Sequence, residues 1–248
     1  MGVPGLMGAY DLLARYYDWL MADVPYRRWI EFIAAYARRQ GSICIVDAGC
    51  GTGTVALGLR QKGFRVAGLD SSQEMLALAR SKAEALGLSL PLFQGNFSAL
   101  PLKADLVIST CDGLNHLLGN KEVIRFFQGV HRCLSPKGSL IFDINTEYKY
   151  RRILGNNIFA WETQGVDVIW RNQYSPPFNF ADISLYVHSR GCWSKSVFLI
   201  QQRCHSVSTL VYYLEKTGFE LKGIWNNYSF KAVSPATQRL TFIAQKKI

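Results

Sequence analysis

The sequence predicts an α/β protein built on a doubly wound, mostly parallel sheet, with an antiparallel edge and a β-rich insertion after the fifth strand. Three observations carry this. Short uninterrupted apolar runs such as Ile43-Cys44-Ile45-Val46 alternate with amphipathic helical stretches, and such runs are strands buried on both faces of a parallel sheet. After Asn145 the alternation gives way to three β-rich runs separated only by turn material. Finally, 248 residues at 49% hydrophobic and 19% charged suffice for one large α/β core plus an insertion.

The elements follow in order. Residues 10–39 read as two helices with a bend before Pro25, the second over 26–39 and stopped by Gly41. The apolar run at 43–46 leads straight into a glycine-rich loop. A helix over 55–62 is closed by Gly63, and a second strand over 65–69 ends at Asp70. Ser72 caps a helix over 73–86, which Gly87 stops. A weaker third strand covers 88–94, the fourth 105–109, and a helix 121–134. Pro136-Lys137-Gly138 turns the chain into a fifth strand over 139–144. The insertion holds strands at 166–174, 181–188 and 196–203, and a helix follows at 207–216. Strands at 219–225 and 240–245 close the sheet as an edge hairpin. Right-handed crossovers place any ligand at the carboxyl ends of the parallel strands.

Composition narrows the classes. No stretch approaches the roughly 18–20 uncharged apolar residues of a membrane span, and Asp11 and Asp18 near the start do not suit a signal peptide. A cytoplasmic protein without membrane partner, a monomer or homodimer, is expected. The six cysteines are scattered with no CxxC pair, so reduced thiols are expected, with neither a zinc site nor a disulfide framework. The net charge is +10, and 147–248 carry 13 Lys/Arg against 6 Asp/Glu. That bias could attract an acidic substrate or RNA, but the basic residues are dispersed, as on a solvated surface.

The chemistry concentrates at Asp47-Ala48-Gly49-Cys50-Gly51-Thr52-Gly53, which leaves a strand and opens a helix. Gly49 permits a tight turn, and Gly51 and Gly53 let a ligand lie against bare backbone. Glycine at every second position is not the G-x-G-x-x-G dinucleotide fingerprint. Asp70 lies 23 residues beyond Asp47, at the end of the second strand, where a carboxylate can accept hydrogen bonds from both hydroxyls of a ribose.

These motifs resemble those of the class I S-adenosylmethionine (SAM)-dependent methyltransferases, with a Rossmann-like core, over most of the first 150 residues. The resemblance implies that Asp47 lies near the methionine ammonium and that Gly49, Cys50, Gly51, Thr52 and Gly53 lie against the methionyl and ribose parts. It implies that Asp70 and Ser71 hold the ribose and that Met75 packs on adenine. Gly95-Asn96-Phe97 is similar to a third motif, usually Gly-Asp-hydrophobic; Asn96 replaces the acid, and its carbonyl oxygen can still accept from the adenine amino group. The N-terminal pattern around Tyr10-Asp11, Tyr17-Asp18 and Tyr26 resembles a branch that includes small-amine N-methyltransferases. In that branch residues 1–41 form a lid over the SAM-binding core of 42–146, with Tyr17 and Tyr26 lining the site and Arg38 pairing with the methionine carboxylate. The insertion, 147–205, then covers the substrate, and 206–248 completes a single domain.

After the fourth strand comes Thr110-Cys111-Asp112-Gly113-Leu114-Asn115-His116. It lacks the Asn/Asp-Pro-Pro-Tyr/Phe signature of adenine and glutamine methyltransferases. It resembles instead the small-amine branch, with Cys111 at the cofactor and His116 as candidate proton acceptor, a role an imidazole can fill near neutrality. Tyr17 is the second catalytic candidate. The expected function is methyl transfer to a nitrogen or oxygen of a small-molecule acceptor. An RNA or protein methyltransferase docking through the basic insertion, and a SAM-binding protein without transfer activity, remain as alternatives.

Overall fold

The computed structural model describes residues 9–96, 100, 102–163 and 165–247. Two helices, α1 (Ala9–Leu20) and α2 (Tyr26–Gln40), precede the first strand. The core then runs β1 (Cys44–Ala48), α3 (Thr54–Gln61), β2 (Arg65–Asp70), α4 (Gln73–Ala85), β3 (Leu92–Gln94), β4 (Ala104–Ser109), α5 (Asn120–Cys133) and β5 (Leu134–Asn145). The insertion contributes β6 (Ile158–Thr163), β7 (Val166–Ser175), β8 (Phe178–Ser189) and β9 (Cys192–Arg203). α6 (Val207–Lys216), β10 (Phe219–Asn226) and β11 (Arg239–Lys246) complete the chain.

The main sheet has the order β10-β11-β5-β4-β1-β2-β3. β11 runs antiparallel between β5 and β10, and the other neighbouring pairs are parallel. Period-two alternation explains why its central strands read as continuous apolar runs. Ile45, Leu106, Ile108 and Ile141 point to a core shared with α2 and α3. Their neighbours Val46, Val107, Leu140 and Phe142 point to a core shared with α5 and α6. Both faces are dry, so no polar alternation is left to see.

The predicted fold class holds, with three differences in detail. β3 is only Leu92–Gln94, because Pro91 has no N–H to extend the ladder at this edge. The second sheet, in the order β6-β7-β8-β9, has four strands where the sequence suggested three. β6 is a short, mostly exposed edge strand, and its apolar run Ile158-Phe159-Ala160-Trp161 is a signal that sequence reasoning missed. A π-helical turn, Lys149–Leu154, links β5 to this sheet and was also not expected.

α1 lies between the two sheets. Leu13 packs with Val168, Ile183, Leu185 and Ile200 of the small sheet, while its aspartates reach the core. Asp11 accepts from the Ser72 hydroxyl at 2.5 Å. Asp18 accepts from the Thr52 hydroxyl at 2.5 Å and pairs with Lys82 at 2.8 Å. Among the described residues no helix is long and apolar enough to cross a membrane.

Candidate active site

The strand order reverses between β1 and β4, and there the carboxyl ends of neighbouring strands open a crevice. A cavity of ≈ 280 Å³ occupies it. Gly49 and Gly51 form one wall, Asp70, Ser71 and Met75 a second, and Thr110, Cys111 and His116 a third; Tyr10 and Tyr17 close it from α1, and Gly95 and Asn96 also face it. Gly51 has φ +54° with open space where a Cβ would project, so a side chain there would be strained and would intrude on the cavity.

Asp70 is fixed by the loop it faces. The Gly51 N–H donates to Oδ2 at 2.8 Å and the Ser72 N–H to Oδ1 at 3.0 Å. Each oxygen keeps a further lone pair. Ser72 in turn caps α4 by accepting from the Met75 N–H, which sets Met75 under the cavity. Asp47 lies just behind the lining glycines, 1% exposed; the Ala56 N–H is directed at it, but no donor among the described residues reaches either oxygen with full hydrogen-bond geometry. Burial, with Asp70 adding to it, pushes its carboxyl up to about 7. A buried carboxylate without a well-aligned donor is costly unless a cation completes the site.

Other expected site residues do different work. Cys50 is buried and packs against Gly68. Thr52 holds α1 through Asp18. Gly53 starts α3 with φ +78° and brings it against Ala79. None of the three lines the cavity. Tyr26 does not line it either; its hydroxyl lies 4.0 Å from the Cys111 sulfur, behind the wall. Arg38 is a correction. α2 leads into the amino end of β1, so its last turn lies at the opposite end of the sheet from the crevice. There Arg38 is exposed and its guanidinium covers the Phe64 ring, 5.5 Å from the centroid. Among the described residues no Lys or Arg lines the crevice. Phe97 lies outside the described residues.

His116 does line the cavity, at the end of a 3₁₀ turn over Gly113–His116. The Gln202 amide nitrogen donates to Asp112 at 2.5 Å and lies 3.2 Å from His116 Nε2. An amide nitrogen only donates, so Nε2 carries the lone pair and the ring is neutral. The Tyr10 hydroxyl also meets Nε2, at 2.9 Å. Burial lowers the imidazole pKa below its ordinary value, with Asp112 and Asp70 opposing. Tyr17 places its hydroxyl 3.8 Å from the Cys111 sulfur. Burial raises its phenol well above the usual range, so Tyr17 stays protonated and can orient a group without taking a proton from it.

Behind this wall lies a charged cluster that sequence reasoning missed. Asp143 of β5, wholly buried, accepts from the backbone N–H groups of Cys111 and Asp112 at 2.9 and 2.7 Å and from the Tyr228 hydroxyl at 2.5 Å. Arg239 of β11 bridges Asp143 and Asp112, the latter at 2.7 Å. Burial would raise the Asp112 carboxyl, but Arg239 and then Lys149 outweigh it and hold it low. Cys111 and Asp112 both have positive φ, 59° and 54°, a strained loop held by these bonds. The available signal was a charged residue inside the apolar run Leu140-Ile141-Phe142-Asp143-Ile144. Tyr10 was equally legible: Tyr-Asp recurs at 10–11 and 17–18, seven residues apart on one helical face.

A second cavity of ≈ 300 Å³ adjoins the first, sharing Tyr10, Tyr17 and Cys111 with it. The small sheet roofs it through Phe159, Trp161, Trp170 and Ile200, and Asn145, Lys149, Asp112 and Arg239 line it from the core side.

This geometry accords with the relatives. A methyltransferase-domain family matches residues 45–138. A candidate methyltransferase of Geobacillus sp. (strain WCH70) is 32% identical over 245 residues, covering 96% of this chain and 99% of that one. The crystal structure of an S-adenosylmethionine-dependent methyltransferase from Clostridium acetobutylicum superposes with TM-score 0.86 at 28% identity, over 97% of this chain and 100% of the other. The sugar N-methyltransferase KedS8 of Streptoalloteichus sp. shares the fold, with TM-score 0.78 at 18% identity over 100% of this chain and 96% of its own. The chain belongs to the class I SAM-dependent methyltransferases, and SAM is its cofactor. The poorly partnered Asp47, the bare Gly51 backbone and the open lone pairs of Asp70 fit that cationic nucleoside.

Proposed function

We propose that the protein methylates a nitrogen or oxygen of a small-molecule acceptor held under the β6–β9 sheet. The observation that carries this is the junction of two small cavities at Tyr10, Tyr17 and Cys111. A nucleoside site and a roofed acceptor site meeting at one wall is the arrangement that in-line transfer needs, and a volume near 300 Å³ suits a small ligand.

When bound, SAM supplies an activated methyl group on a sulfonium. The protein's part is to hold, exclude water and take a proton. Asp47 faces the ammonium, Asp70 and Ser71 the ribose hydroxyls, and Met75 and Asn96 the adenine. Tyr17 and Cys111 form the wall at which the acceptor meets the methyl. His116 Nε2 takes the acceptor's proton directly or through Tyr10, whose hydroxyl passes its own proton to Nε2 and is refilled by the acceptor's.

Two tests follow. His116→Gln should keep cofactor affinity and lose more than tenfold in turnover, over ~1.4 kcal/mol of transition-state stabilisation. The wild-type rate should fall as pH drops through the depressed imidazole pKa, a limb the variant lacks. Equal turnover in His116→Gln, His116→Tyr and wild type across roughly pH 6 to 9 makes His116 structural.

The Asp47 carboxyl gives the second. Raised to about 7, it is protonated below that pH and cannot face an ammonium. SAM affinity should therefore weaken as pH falls below 7, approaching about tenfold per unit. A raised acid favours the ligand-free fold at low pH, and that contribution is lost as pH rises through 7. The thermal shift on adding SAM should accordingly grow from pH 6 to 8, and Asp47→Asn should flatten it. A shift independent of pH in the wild type removes Asp47 from the ammonium site.

A further inference from the structure

The acceptor cavity holds more hydrogen-bonding capacity than the protein uses. Lys149, at the start of the π-helical turn, donates to Asn145 Oδ1 at 2.9 Å. Among the described residues no carboxylate lies within ion-pair distance of its ammonium. An ammonium has three donors, so two remain. The neighbouring carboxylates are already engaged: Asp143 by two amides, Tyr228 and Arg239, and Asp112 by Arg239 and Gln202. Across the cavity the indole Nε1 of Trp170 is buried without a partner. Asn172 and Asn179, 6% and 2% exposed, bond to each other at 3.2 Å and leave Asn172 Nδ2 and Asn179 Oδ1 unpaired. Turning both amides over would still leave one donor and one acceptor. Buried polar groups are rarely left so, and three such atoms in the walls of one roofed space, beside the spare donors of Lys149, indicate a ligand that completes them. Between them the walls are apolar and aromatic, with Phe159, Trp161 and Leu13.

From this arrangement we infer that the acceptor is an oxyanion-bearing small molecule, a carboxylate or phosphate monoester on a ring-sized apolar body. Lys149 receives its charge, and Trp170 Nε1 and the Asn172–Asn179 amide pair take its remaining polar edge. The inference rests on the reading of this cavity as the acceptor site. The neutral imidazole of His116 lines the first cavity and Lys149 the second, with Tyr10 and Tyr17 between them, so the anionic end would be held away from the reacting atom. Lys149 is thus a specificity residue and not a catalytic one.

The test uses matched probes on the full chain saturated with S-adenosylhomocysteine, with binding followed by calorimetry or ligand-observed NMR. Anthranilate and salicylate are compared with their neutral amides, and phenyl phosphate with phenol. Anions should bind at least tenfold more tightly than neutral partners at low salt. Lys149→Met should abolish that preference, and Lys149→Arg should restore most of it, with both variants folded and S-adenosylhomocysteine affinity unchanged in both. A carboxylate-only or phosphate-only preference identifies the group. Equal binding of anions and neutral partners overturns the inference, as does failure of every anion to bind at millimolar concentration, or a preference that survives in Lys149→Met. Because the readout is binding to product-loaded protein, it is independent of turnover. Loss of S-adenosylhomocysteine binding itself would fail the functional reading instead.

Discussion

Arg239→Met is expected to destabilise the protein by about 3–5 kcal/mol, the usual cost of stripping one partner from a buried ion cluster. Arg239 is 7% exposed and Asp143 is not exposed at all. The guanidinium touches Asp143 and Asp112 and lies over the Trp29 ring, 5.0 Å from its centroid. Methionine keeps much of the packing on Trp29 but leaves two carboxylates buried side by side. The loss should shrink as pH falls, because the orphaned carboxyls can then take protons. Since Asp143 also receives the N–H groups of Cys111 and Asp112, cofactor affinity should drop with stability. Adding Asp143→Asn should recover part of both. Urea unfolding at two pH values measures this; a loss below about 1 kcal/mol, typical of an exposed pair, would show that the cluster does not hold the loop.

Asp70→Ala should weaken SAM by about 2–4 kcal/mol. The carboxylate accepts from the Gly51 N–H and from the Ser72 N–H, so its removal takes away the proposed ribose acceptor and loosens the loop proposed to face the methionyl part. Melting temperature without ligand should change far less than the ligand-induced shift. Unaltered SAM affinity in a folded variant would remove the ribose assignment while leaving the family membership intact.

The core was legible because its signals are local. An apolar run, a glycine-rich turn and an acid at the end of the next strand sit within 43–70, and βαβ geometry brings them together. The small sheet was only partly legible. β7, β8 and β9 are long and carry apolar alternation, but β6 is a short edge strand with one face in solvent, and its brief apolar run over 158–161 follows directly on turn material. Least legible was the charged cluster. Asp112, Asp143, Gln202 and Arg239 come from four separate elements, and their adjacency depends on β11 inserting beside β5, which is a property of sheet order and not of spacing. Arg38 failed for the opposite reason: the motif around it is local, but helix direction carries that residue to the wrong end of the sheet.

α1 carries two jobs on one helical repeat. Tyr10 and Tyr17 face the cavities, and the adjacent Asp11 and Asp18 grip Ser72 and the Thr52–Lys82 pair. Seven residues are nearly two full turns, so the pattern closes on itself with a drift of only about 20°. The helix is therefore a key with two identical cuts, and its phase is set twice. A single residue inserted between Asp11 and Tyr17 would rotate one half by about 100° against the other, so that only one aspartate could stay seated. Point substitutions along the outer face leave that phase untouched. The N-terminal helix can thus drift in composition while its length between the two tyrosines stays fixed.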